Sequence, residues 1–179
     1  MVAAGCVPRK PAAKHASKAQ AKKPPLPEHI RLSGGEFVLA SPSGERLWQG
    51  KGKSFDWDTA AQTATLVQAQ GTFFRAGKAA LKAAAPSVRV DYKTRVVYLE
   101  GGVMAQSQAD TARFSADRVQ WHAKDQKVYG QGNVNFVRGQ SQATGDRLVG
   151  DTALRRVRLE AVGRPVLLRM VQTRGKPLF

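Results

Sequence analysis

Residues 88–103 read VRVDYKTRVVYLEGGV, and residues 119–134 read VQWHAKDQKVYGQGNV. The two align without a gap: Val88 on Val119, Val90 on Trp121, Val97 on Val128, Gly101 on Gly132, Val103 on Val134. Each encodes the same pattern: an alternating apolar strand, a polar turn, a second alternating strand, then glycine and a further strand. Alternation with period two puts every second side chain on one face. Looser copies begin at Phe55 (FDWDTAAQTATLVQAQG) and Leu148 (LVGDTALRRVRLEAVG). The starts at 55, 88, 119 and 148 are 33, 31 and 29 residues apart. Recurrence near such a period marks a repeat architecture, and a unit made of strands excludes helical repeats of similar length.

Outward from these units the strand–turn–strand pattern continues. Toward the N-terminus, Ile30–Leu32 leads to Gly34-Gly35 and then Glu36–Leu39. Ser41-Pro42-Ser43-Gly44 signals a turn, and Glu45–Gln49 a further strand. Gly34-Gly35 and Gly101-Gly102 read as turns or bulges. Residues 76–85 (AGKAALKAAA) carry helix-forming composition, and Pro86 would end a helix there, so this stretch is expected as a short helix or a loop. Short strands with glycine punctuation run to about Leu168. The fold class is all-β and antiparallel, and the spacing suggests a sandwich or open barrel. Three segments follow: a linker at 1–29, a β domain at 30–170 and a tail at 171–179.

The apolar residues of the repeats recur at matching alternate positions. They are Phe55, Trp57 and Leu66; Val88, Val90, Val97, Leu99 and Val103; Val119, Trp121, Val128, Val134 and Phe136; and Leu148, Val157 and Leu159. Together they predict one long apolar stripe assembled from every unit. Such a stripe fills a sandwich core, lines a lipid groove, or does both along its length.

The frame Ala116-Asp117-Arg118-Val119-Gln120-Trp121, followed by Val128 and by Gly132-Asn133-Val134-Asn135-Phe136, resembles the repeat of the LptC/LptA (OstA-like) lipopolysaccharide-export superfamily, LptC most of all. The resemblance spans roughly residues 36–168. It implies an incomplete antiparallel β-jellyroll of repeated hairpins with an apolar interior groove, no enzymatic activity and no cofactor. It implies a periplasmic place beside the inner membrane. The cargo would be lipopolysaccharide or a similar anionic glycolipid, received from the membrane subunits of an ABC exporter and passed to an LptA-like bridge protein by edge-strand docking. The sixteen stripe residues would then line the groove. On this analogy the first strand, around Phe37–Leu39, faces the exporter, and the last, around Val157–Leu168, faces the bridge.

Ala3-Ala4-Gly5-Cys6 resembles the small-residue site before a bacterial lipoprotein cysteine, which makes Cys6 the lipidation candidate. Met1–Gly5 does not supply the charged start and apolar segment of about 7–15 residues that such a signal needs. Cys6 as an anchor therefore requires an upstream signal, and chance resemblance is the alternative. Residues 7–29 are rich in Pro, Ala and Lys and read as an extended basic linker. No run of about 18 apolar residues suggests a spanning helix.

Net charge is +16, from 29 Lys and Arg against 13 Asp and Glu. Such a surplus favours anionic company. Arg89, Arg95, Arg113, Arg118, Lys127 and Arg138 are candidates to meet lipid phosphates, or ordinary solvated strand positions. A nucleic-acid-binding β domain and a structural envelope protein without ligand are the competing classes. The aromatic residues fall in phase with Val and Leu, as buried residues do, which argues against nucleic acid. His15, His29 and His122 are far apart, and no Cys/His spacing resembles a metal site. Asp56 and Asp58 share a strand face, but alternation opposite Phe55 and Trp57 is what an exposed face looks like. His122 is expected in a turn as a solvated residue.

Overall fold

The structure, a computed structural model, describes residues 28–163 and 165–170. Ten antiparallel strands form one sheet: β1 His29–Ala40, β2 Arg46–Asp58, β3 Thr63–Arg75, β4 Lys78–Asp91, β5 Val96–Ser107, β6 Arg113–His122, β7 Lys127–Arg138, β8 Ser141–Asp151, β9 Val157–Glu160 and β10 Leu167–Met170. The first eight pair in sequence order, and β9 and β10 share the outer side of β8. β1 and the β9–β10 pair are the two ends, so the sheet is open. Residues 1–27, with Cys6 and most of the Pro/Lys linker, and the tail from residue 171 lie outside the described residues, while His29, expected in the linker, begins β1.

A line of irregularities crosses the sheet at mid-strand. On the odd strands it falls on Gly34, Gln68, Gly101-Gly102 and Gly132-Asn133, all with positive φ. The register shifts beside these last two pairs mark β-bulges, where one strand carries an extra residue and bends. On the even strands the same line passes through Lys53, Pro86, Asp117 and Asp146, the residues that face those positions. Gly132 is needed here: a Cβ on it would meet Asp117 Oδ2 at 2.4 Å. The Asn133 amide donates to that same carboxylate oxygen at 2.9 Å. The glycine pairs are thus creases inside continuous strands, not separators between strands.

The crease divides the sheet into two leaves that fold toward each other. The Phe73 ring of one leaf lies 5.0 Å from the Trp121 ring of the other. Arg75, at the end of β3, bonds Asp151, at the end of β8, at 3.2 Å. Ser107 Oγ donates to the Ala153 carbonyl at 2.9 Å in the buried interior. The roll is held by these bonds and by the inner core, since β1 and β9–β10 do not pair with each other.

One row of hairpin turns is stacked. Thr59 N–H donates to the Glu28 carbonyl, Tyr92 to Gln62, Ala123 to Arg95 and Thr152 to Gln126, at 2.9–3.1 Å. Within the turns, Asp58, Asp91 and Asp151 carboxylates accept from the backbone N–H of Ala61, Thr94 and Arg156. The recurring step of about thirty residues seen in the sequence is therefore one hairpin with one crease per strand.

Residues 76–85 form no helix. Ala76 and Gly77, with φ of 48° and 72°, make a tight hairpin turn, and β4 begins at Lys78. Alanine favours a helix only weakly, and β3 and β5 on either side offer a full ladder of backbone partners. Leu81, Ala83 and Ala85 face inward, while exposed Lys82 faces out. Pro86 sits in the crease, where the ladder is interrupted. His122 likewise ends strand β6 and packs on the Tyr129 ring at 4.9 Å, not in a turn.

Candidate functional site: the inner face of the rolled sheet

Cross-strand register resolves the inner face into rows. In the leaf nearer the stacked turns, one row runs Leu32, Phe55, Leu66, Val88, Leu99, Val119, Gly130, Leu148, Leu159 across β1 to β9. The neighbouring row runs Ile30, Trp57, Ala64, Val90, Val97, Trp121, Val128, Gly150, Val157 in the same register. Thirteen of the sixteen stripe residues expected from sequence lie in these two rows. The others, Val103, Val134 and Phe136, lie beyond the crease on the facing leaf, still inward.

The facing leaf is built differently. Its inner row runs Phe37, Gly50, Gly71, Ala83, Ala105, Phe114, Phe136, Ala143, Leu168. Small residues occupy its middle, leaving depth for the large Trp48 side chain of the same leaf. The Trp48 indole fills the space over Gly50 and Gly71, where an added Cβ would come within 2.5 Å of the ring. Large-on-small packing of this kind lets two leaves close at interior density.

Burial varies along the roll. In the middle the inner residues are sealed: Trp48, Leu66, Val90, Val97, Trp121 and Val128 have no exposure. At the two ends they are not. At the β1 end, Phe37, Phe55 and Trp57 are half-buried, with the Phe37 ring stacked on Phe55 at 5.7 Å and on Trp57 at 5.8 Å, and Leu32 beside them is 52% exposed. At the other end, Phe136, Val157 and Leu159 are half-buried, and Leu168 is 58% exposed. The stripe is thus a continuous apolar seam, closed in the centre and open at both sheet ends.

The two buried indoles differ in polarity. Trp121 Nε1 donates to Thr152 Oγ1 at 2.9 Å, and that hydroxyl donates to the Gln126 carbonyl at 2.8 Å. Trp48 Nε1 has no hydrogen-bond partner among the described residues. Sequence reasoning missed Trp48, Phe73, Leu81, Phe114 and the Gly/Ala floor. The signal was present within single strands as small residues two apart (Gly50 and Gly52, Ala69 and Gly71, Ala83 and Ala85), but small residues carry little hydropathy contrast.

Of the basic candidates, Arg89 lies over the Tyr98 ring at 4.1 Å on the outer face. Arg138 turns inward to bond the Leu154 carbonyl and lies 3.5 Å from Asp110. Asp56 pairs with His29 and Arg31 on the surface. Among the described residues no group of His, Cys, Asp and Glu is arranged to hold a metal ion. No helix of the described residues is long and apolar enough to cross a membrane.

Residues 12–163 match the family model described as lipopolysaccharide-assembly, LptC-related. The chain belongs to the LptC-related family. Members of that family are transport proteins of lipopolysaccharide assembly. The fold is similar to that of LptH, described as the LptA homologous periplasmic component of the lipopolysaccharide transport device from Pseudomonas aeruginosa. The TM-score is 0.58 at 14% identity, over 70% of this chain and 95% of that one. At that identity the likeness speaks for the fold alone: an open, rolled antiparallel sheet of the LptA kind. No curated protein matches the sequence.

Proposed function

We propose that this LptC-related chain carries lipopolysaccharide, or a related anionic glycolipid, by sheltering its acyl part at the open ends of the seam between the two leaves. The carrying observation is the pair of inner rows, to which each of the strands β1–β9 contributes, with exposed apolar side chains at both open ends. Each methylene transferred from water to such a surface contributes about 0.8 kcal/mol. A lipid with several acyl chains would be held too tightly to be released into water, but would move readily onto a matching seam.

On this reading the β1 edge receives lipid on the side of the ABC exporter's membrane subunits. The β9–β10 edge passes it to an LptA-like bridge protein by strand addition. The chain works in the periplasm, tethered at the inner membrane, with Cys6 as the candidate anchor. No catalytic step is required.

The test is photocrosslinking from single positions in the full chain during active export. Probes at Leu32, Phe55 and Leu168, which are accessible, are expected to capture lipopolysaccharide. Probes at Gln120 and Tyr129, on the outer face, are expected to capture none. Equal capture from both faces would overturn the reading.

A further inference from the structure

A trough of about 830 Å³ lies on the face of the sheet opposite the inner seam, over the leaf with the Gly/Ala floor. Neither Trp48, Phe73, Leu81 nor Trp121, which point inward, lines it. Its walls are two register rows of outward side chains. One runs Gln49, Thr72, Lys82, Gln106, Arg113 and Val137. The other runs Lys51, Gln70, Ala84, Met104, Ser115 and Asn135. Strands about 4.8 Å apart give each row a length of roughly 24 Å over its five steps.

The chemistry of this surface is specific. Gln49, Gln70, Gln106 and Asn135 offer both donors and acceptors, as Thr72 and Ser115 do, and this mixture matches the hydroxyls of a sugar. Met104, Ala84 and Val137 present an apolar floor suited to the C–H faces of pyranose rings. Lys51, Lys82 and Arg113 form no ion pair among the described residues, so their charges are available to an anion. Glu36 is the carboxylate of the lining, and its Oε1 already accepts from the Gln49 amide. Phe114, the ring of the lining, is only 3% exposed and belongs to the inner face. The trough therefore lacks the stacking platform that single-stranded nucleic acid needs.

We propose that this outer trough is a second binding site, for an anionic oligosaccharide laid across β2–β7. It is separate from the seam, because the sheet itself lies between them. The anion is a sugar-borne phosphate or a sugar-borne carboxylate, and Lys82 and Arg113 hold it while the amide rows read the hydroxyls.

The experiment is titration calorimetry on the full chain with two lipid-free probes. One is the phosphorylated oligosaccharide left by complete deacylation of lipopolysaccharide; the other is a phosphate-free oligogalacturonate. Saturable binding of either supports the site, and the tighter probe identifies the anion. Lys82→Gln combined with Arg113→Gln should weaken binding by at least about tenfold, one charge-assisted contact or more. Both positions are exposed, so the variant should keep its melting temperature. Phe55→Ser, at the opening of the seam, should leave saccharide binding unchanged. Absence of binding by both probes would overturn the proposal. So would binding that survives the double variant, or tighter binding of a single-stranded oligonucleotide lost in that same variant.

Discussion

Thr152→Val tests whether the roll is fastened at its interior by one hydroxyl. Valine keeps the shape of threonine, so no cavity opens and the change is purely polar. Thr152 Oγ1 accepts from Trp121 Nε1 at 2.9 Å and donates to the Gln126 carbonyl at 2.8 Å. That carbonyl keeps a partner, the Thr152 N–H at 3.0 Å. The indole N–H does not, and Trp121 has no exposure. A buried donor stripped of its acceptor costs about 1–3 kcal/mol. With a urea slope of about 2 kcal/mol per molar, the midpoint should fall by roughly 1 M. The control is the same change made on Trp121→Phe, where no N–H is left to strand. There Thr152→Val should cost under about 0.5 kcal/mol, because both partners are then apolar. Equal losses in the two backgrounds would refute the reasoning, and so would a neutral Thr152→Val.

Trp48→Phe should destabilise less than Trp121→Phe in chemical denaturation, since the Trp48 N–H has no partner among the described residues to lose. Gly132→Ala combines positive φ with a clash on Asp117 Oδ2, whereas Gly102→Ala, also at positive φ, meets nothing within 4 Å. Thermal melts should place Gly132→Ala lower by about 1 kcal/mol or more, with Gly102→Ala showing backbone strain only. Leu32→Asp and Leu168→Asp should hold their melting temperatures while losing lipid crosslinking, because both side chains are more than half exposed at the open ends. Leu99→Asp should fail to fold at all, since a lone carboxylate at a 2% exposed site has no counter-charge in the inner row. Circular dichroism would show this before any lipid assay.

Reading the chain from its recurring phrase gave the all-β class, the approximate strand positions and the alternating stripe, but neither the direction the stripe faces nor the pairing. That Val88 lies beside Leu99, and Val97 beside Trp121, is a finding of the structure. Three things were not legible. Residues 76–85 read as a short helix or a loop, because alanine hides a period-two pattern that only neighbouring strands reveal. The crease was legible only as a choice between turn and bulge at Gly101-Gly102, because such a pair looks alike whether a strand ends or merely bends there; the register makes it a bulge. The distinction between core and groove depends on what packs opposite each side chain. Trp57 and Trp121 alternate identically in sequence, yet one sits at the open end and the other in the sealed centre.

The ladder of turns, each N–H given to the carbonyl of the turn before it, has a consequence for size. A barrel must satisfy strand number, tilt and stagger together before its last strand meets its first. An unclosed roll obeys no such equation. A duplicated segment of about thirty residues would add two strands, one more rung, and about 10 Å of apolar path. Capacity in this architecture is therefore adjustable by whole-number duplication, without redesign of the parts already present.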